Sequence, residues 1–166
     1  MKNAIINWVV RRAKRTPYYD LPGYMLRYWL VPYSREIIHG DGKLHGTGRV
    51  KWYRRPFSRL LQFFNISARV HVILRSDTGR DFHDHPWNYC TIILRGGYWE
   101  YTPNGARWRG PGSVLFRKAS SWHRLGVPAG GNAVTIFITG KRIQRWGFLV
   151  NGKKVPYTEY EGLSAV

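Results

Sequence analysis

Three histidines in the second half of the chain have the type and spacing to hold a metal ion. His83 and His85 stand one residue apart within RDFHDHPWNYCTIILRGG, residues 80–97. On an extended segment, side chains two apart project to the same side, so both imidazoles point at one spot. Neutral imidazole is a ligand for iron, zinc, copper and nickel, and an open site needs a third ligand. His123, in GSVLFRKASSWH, is the candidate. Ligands sharing one ion at about 2.0–2.2 Å bring their nearest nitrogens to about 3–4 Å of one another. The plainer alternative is a hydrogen-bonded or solvated histidine pair on a strand, with His123 a loop residue.

The elements that must position these residues read as strands. ARVHVILR alternates, DTGRD turns, and the histidine strand follows with Pro86 set to bend it. PNGA separates two hairpin arms at Tyr98 to Thr102 and Arg107 to Arg109, and VLFRK, WHRLGV, AVTIFIT and RWGFLV supply further short strands. Short strands at this spacing with almost no long helix predict an antiparallel all-β sandwich or barrel. Ahead of it, residues 3–15 read as a short basic amphipathic helix ended by Pro17, and YMLRYWLV as an edge strand. The glycine-rich IIHGDGKLHGTGRVKWY reads as a hairpin insertion whose His39 and His45 are surface residues, and PFSRLLQFF as one or two helical turns. The division expected is a basic, aromatic-rich extension over residues 1–66 packed on a barrel over 67–166. The last dozen residues read as a pairing strand or a loose tail.

The glycines around the histidines stand at informative distances: Gly97 closes the strand that starts at the pair, and Gly112 precedes His123 by eleven residues. In this the chain resembles the cupin superfamily. Its first motif is a Gly, a His-x-His pair, a Glu a few residues on, and a closing Gly; its second is a Gly followed eleven positions on by a His. His83, His85, Gly97 and the Gly112 to His123 interval match. The Glu does not, since Cys90 stands there, and Lys118 and Ser120 replace the usual Pro and second Gly. The resemblance covers roughly residues 68–150 and implies a double-stranded β-helix jelly roll. More narrowly, HDHPW, ILRGGYWE and FITGKRIQRWGF look like the small cupins of tailed phages and prophages.

Three histidines leave positions open for substrate and dioxygen together, so the resemblance implies a mononuclear divalent metal. Fe(II) in an oxygenase comes first, with Zn, Mn or Ni as alternatives. Where the family places its carboxylate, the choice is between Cys90 and, one place earlier, Tyr89. On an unbroken strand Tyr89 shares the face of the pair; a bulge or bend at Pro86 would put Cys90 there instead. A cysteine at this interval resembles thiol dioxygenases, some of which join it to a tyrosine, although a free cysteine is more often a small core hydrophobe. Glu100 is the nearby acid able to position a ligand or act as a base. Asp84 should face away, toward a turn. For an anionic substrate the candidates are Arg75, Arg95 and, less favourably, Arg124, with Trp87 and Trp122 at the mouth.

The chain has 27 Lys and Arg against 9 Asp and Glu, a net charge of +18. Such a field attracts polyanions and steers acidic ligands inward. A small anionic molecule, a nucleotide, a nucleic-acid strand or an anionic surface therefore fit as partners, as does a homodimer. Arginine-interleaved aromatics such as KWYRR could stack bases, though strand alternation explains most of their spacing. One cysteine cannot form an internal disulfide, which fits a reducing cytoplasm, the host's if the protein is phage-encoded. The apolar start AIINWVV is too short for a membrane span, and RRAKR after it has the wrong polarity for a signal peptide. Hydrolase, zinc-finger and dinucleotide-binding patterns are missing. Three functions are carried forward: a metal-dependent oxygenase or related enzyme, a non-catalytic anion-binding protein, and a phage assembly or virion-associated protein.

Overall fold

The structure, a computed structural model, describes residues 2–15, 21–31, 55–77, 79 and 81–160. The hairpin insertion, with His39 and His45, and the end of the tail lie outside the described residues. Two helices, α1 (Lys2–Ala13) and α2 (Arg55–Phe63), accompany strands β1 (Met25–Val31), β2 (Ser67–Ile73), β3 (Phe82–His83), β4 (Trp87–Gly96), β5 (Tyr98–Thr102) and β6 (Gly105–Arg109). They are followed by β7 (Val114–Arg117), β8 (Arg124–Gly126), β9 (Ala133–Arg142), β10 (Gly147–Val150) and β11 (Lys153–Pro156). No helix among the described residues is long and apolar enough to cross a membrane.

One wall is a five-stranded sheet in the order β1-β2-β9-β4-β7. The other consists of two three-stranded pieces, β11-β10-β3 and β6-β5-β8. An antiparallel bridge between His83 and His123 stitches these pieces together, with each residue's backbone N–H donating to the other's carbonyl at 2.9 and 3.0 Å. Among the described residues every strand pairing is antiparallel. The result is the antiparallel all-β fold expected from the strand pattern, with the jelly-roll arrangement that the resemblance implies, and two candidate ligands sit at its seam.

The large sheet buries its inner face, and α1 covers the outer face over β1 and β2, while Val114 and Phe116 leave that face exposed at β7. Val9, Val10 and Ala13 recur at helical spacing and meet Tyr28, Val70, Val72 and Val134. Its β-branched residues are modest helix formers, so this packing, at about 1.5–3 kcal/mol per buried side chain, is what holds the helix. Between the walls, Ile73, Ile93, Tyr98, Leu125 and Ala133 form a second apolar cluster. Two glycines of the histidine region have structural reasons. A Cβ at Gly97 would stand 2.5 Å from the carbonyl oxygen of Arg109, and Gly112 turns the chain into β7 with φ +89.

Candidate metal site

His83 is held in β3 against Phe148 of β10 on one side and His123 on the other. The chain then leaves the sheet for three residues. Asp84 N–H donates to the Gly147 carbonyl at 3.1 Å, His85 N–H to the Ala119 carbonyl at 3.0 Å, and the Pro86 carbonyl accepts from Ile143 N–H at 2.9 Å. The segment is thus broken rather than one continuous strand, yet alternation survives the break. The His83 and His85 rings meet edge to face at 5.2 Å, and each lies within 5.0 Å of the His123 ring.

One ring nitrogen from each histidine falls within 4.8 Å of the others. His85 Nε2 and His123 Nε2 lie 2.8 Å apart, a hydrogen-bond distance. The spread, from 2.8 Å for that pair to an upper bound of 4.8 Å, is wider than the 3–4 Å expected. Sharing an ion at about 2.0–2.2 Å calls for small ring movements. Burial, and then the neighbouring His123, lowers the pKa of His83 to about 4; burial, and then His123 and His83, lowers that of His85 well below its ordinary value. Neutral imidazole is the ligating form.

Two of the three rings have a carboxylate behind them. His123 Nδ1 lies 3.5 Å from Glu100 Oε1, and His83 Nδ1 lies 3.7 Å from Asp77 Oδ2. Neither contact is a hydrogen bond, and His123 Nδ1 is buried without a hydrogen-bond partner, but a carboxylate on the Nδ1 side favours a proton there and leaves Nε2 toward the cluster. Both acids are themselves anchored. Asp77 accepts from Leu125 N–H at 2.7 Å and from the Tyr24 hydroxyl. Glu100, 2% exposed, accepts from Arg109 Nε at 2.8 Å and from Arg117 at 3.1 and 2.6 Å. Burial would raise the Glu100 pKa, but the contacts with His123 and Arg117 outweigh it and hold it at about 2.

Tyr89 faces the cluster. Its hydroxyl is 3.3 Å from His123 Nε2, its ring 4.6 Å from His85, and burial followed by Glu100 pushes its pKa far up, so it keeps its proton. Cys90, expected as its equal, points to the opposite face of β4, where it pairs with Phe116 and Ile138. Pro86 did not reverse the parity, so Cys90 and Tyr89 cannot share this site. Asp84 faces away as expected and is 1% exposed. It accepts from Gly147 N–H at 2.8 Å, Gln144 at 2.9 Å and Lys154 at 2.5 Å, pinning the histidine segment to β10.

The arginines chosen from the sequence are engaged elsewhere. Arg75 lies over the Tyr24 ring at 5.6 Å, Arg124 over Tyr101 at 5.0 Å, and Arg95 donates to Asn7 of α1 at the surface. Trp122 packs under Lys154 at 5.7 Å. Trp87 alone of that group borders the histidines, 6.4 Å from the His85 ring. Sequence reasoning missed Asp77, Arg117, Arg69 and His71. The last two stand on β2 beside Phe137, whose ring also neighbours His85 at 5.9 Å and Tyr89 at 5.0 Å.

No protein-family model matches the chain, and no curated protein matches it. Solved structures do. The chain is similar to the polyketide cyclase RemF from Streptomyces resistomycificus, at 13% identity over 90% of this chain and 87% of that one, with a TM-score of 0.55. It is similar to the Streptomyces nucleoside dehydratase Pac13, at 8% identity over 89% and 92% of the two chains, with a TM-score of 0.50. A cupin-like protein from Thermotoga maritima matches at 22% identity over 59% and 72%, with a TM-score of 0.43. At these identities the likeness is one of fold.

Proposed function

We propose that this chain, which has the cupin jelly-roll fold, holds one divalent transition metal on His83, His85 and His123 and acts as a metalloenzyme on a small anionic molecule, in the first place as an Fe(II)-type oxygenase. The observation that supports it is the convergence of three imidazoles with carboxylates behind two of them. The donor set suits such an ion: three neutral nitrogens, no carboxylate among the described residues in the ligand group, and coordination positions left for substrate. Bound there, the ion supplies Lewis acidity and, as Fe(II), redox chemistry with dioxygen.

The chain's own residues do the rest. Asp77 and Glu100 lie on the Nδ1 sides of His83 and His123 and favour a protonated Nδ1 there electrostatically. Glu100, enclosed by Arg109 and Arg117, is a positioning residue in this reading and not a free general base. The protonated Tyr89 hydroxyl beside His123 is the group placed to donate a hydrogen bond or a proton to substrate. Phe137 and Trp87 wall the site and limit water. Cys90, on the other face of the strand, takes no part.

The test is metal-dependent thermal stabilisation of chelator-treated protein by Fe(II) under anaerobic conditions, and by Zn, Mn and Ni. Wild type should be stabilised by at least one of them, and His83→Ala and His123→Ala by none. Stabilisation that persists in both variants would place the metal elsewhere.

The net charge of +18 favours a second reading, a non-catalytic pocket for a nucleotide or nucleic-acid strand. Affinity measured across a salt series decides it, since phosphate contacts give a steep fall of log K with log salt. Exposed Ile5, Trp8, Phe57, Leu60, Phe63 and Phe64 on and beside the two helices favour assembly, including a homodimer. Its phage and virion-associated form rests on the sequence resemblance alone. Removing residues 1–16 should lower the mass in solution if α1 makes contacts between chains.

A further inference from the structure

We propose that the outer face of the β6-β5-β8 sheet binds single-stranded nucleic acid, with Trp99 and Trp108 stacking unpaired bases and Arg124 meeting the phosphate backbone. This stands apart from the metalloenzyme reading, because these side chains lie on the far side of the sheet from Glu100.

The face follows from register. Tyr98, Glu100 and Leu125 are buried between the walls, so the alternate residues of β5 and β8 turn outward. Trp99 pairs with Trp108 of β6 and with Gly126 of β8, and Tyr101 pairs with Ala106 and Arg124. These residues therefore share one surface, three strands wide.

Its aromatic rings are open to solvent. Trp99 and Trp108 are each 43% exposed, and their rings meet edge to face at 5.8 Å. Three glycines shape the surface around them. A Cβ at Gly97 would come within 2.6 Å of the Trp108 ring and one at Gly110 within 2.9 Å, while a Cβ at Gly126 would come within 2.8 Å of the Tyr101 ring. The rings take the space that side chains at these positions would fill, so they lie low over bare backbone instead of standing between neighbouring side chains.

Charge selects the occupant. Arg124 lies over the Tyr101 ring at 5.0 Å, a contact that keeps a guanidinium at the edge of the aromatic surface. Arg107 is exposed beside Trp108 on the edge strand β6. From His85 to Thr158 the sequence has one acid, Glu100, and it is enclosed, so no carboxylate on this face repels a phosphate. A neutral sugar would use the rings and leave the cations idle. A second copy of this chain would bring like charge to the contact. Unpaired bases joined by phosphates use both features, and aromatics exposed on an antiparallel sheet with arginine beside them make a stacking platform tolerant of sequence.

The experiment follows the fluorescence anisotropy of short labelled oligouridylate, oligothymidylate and duplex DNA of equal length against the full chain, across a salt series. Wild type should bind single strands more tightly than duplex, and the better of the two identifies the strand as RNA or DNA. Loss of one stacking ring predicts that Trp99→Ala and Trp108→Ala each weaken binding about 5-fold or more. Arg124→Gln should lower the slope of log K against log salt by about 0.7, one phosphate contact. Phe116→Ala, which removes a ring 77% exposed on β7, should leave binding unchanged. Should an alanine variant fail to fold, Trp108→Leu keeps apolar bulk without a ring and should still weaken binding, while Trp108→Tyr should retain it. Duplex bound as tightly as single strand, or affinity that survives in the tryptophan variants, assigns binding to the general charge or to an interior pocket and overturns this face. So does light scattering that shows a wild-type dimer dissociated by Trp99→Ala, since the face is then buried between copies.

Discussion

The two faces of β2 and β9 are built from alternate residues of the same strands, and they differ in kind. Outward, Val70 and Val134 pack on Ala13 and Tyr28 as an ordinary apolar core. Inward, one end is equally apolar, with Ile73, Ala133 and Ile93, while the other carries Arg69, His71, Thr139 and the approach to His85. Stability is concentrated in the outer face and the apolar inner end, leaving the polar inner end free to hold groups that are costly to bury. The comparison teaches that this sheet is not read by asking which alternate set is apolar. Both sets are buried, and the site lies under the less apolar one.

The sharpest way to break this division is at Glu100, which belongs to the polar half yet is fully enclosed. Glu100→Ala leaves Arg109, Arg117 and His123 without their shared partner and should cost about 3–5 kcal/mol in denaturant unfolding. A loss under about 1 kcal/mol would mean that the network is incidental. Next comes the apolar plug. Ile93 is 1% exposed, and Ile93→Ala should cost about 2–5 kcal/mol while leaving metal uptake per folded chain unchanged.

The pH dependence of the chelated protein sharpens the contrast further. Burial, and then Arg69 and Arg27, lower the folded pKa of His71 below its unfolded value near 6.5. Below that pH the unfolded chain takes up a proton that the folded chain refuses, so stability is full above about pH 6.5 and declines as pH falls through it. Each such group contributes a slope of at most about 1.4 kcal/mol per pH unit. His71→Phe should flatten the decline, and an unchanged slope would show that His71 is not held neutral. The smallest effect is expected at Arg95, bonded to Asn7 on the exposed side: Arg95→Ala should stay within about 0.5 kcal/mol of wild type.

Much of the site is legible in the sequence because it is local. His83, His85 and Tyr89 share a face through a two-residue period, and Gly97 and Gly112 mark strand ends that bring His123 back to His83. What the sequence hides is tertiary. Asp77 reaches His83 from a loop, and nothing in the spacing announces it. The alternation of ARVHVILR does not say which set faces inward: Val70 and Val72 pack toward α1, which leaves Arg69 and His71 on the face between the walls. Arg75 and Arg95 look close to the histidines along the chain, but one stacks on Tyr24 and the other faces α1. The choice between Tyr89 and Cys90 turned on whether Pro86 shifts the alternation, and only coordinates show that it does not.

The most direct test of the central claim is metal stoichiometry by inductively coupled plasma mass spectrometry. It is made on protein purified without chelator and reloaded with Fe(II) or Zn, for wild type and for His83→Ala, His85→Ala and His123→Ala. The account predicts about one ion per wild-type chain and its loss in each variant with the fold retained. A wild-type chain that takes up no metal, or variants that hold it as well as wild type does, would contradict it.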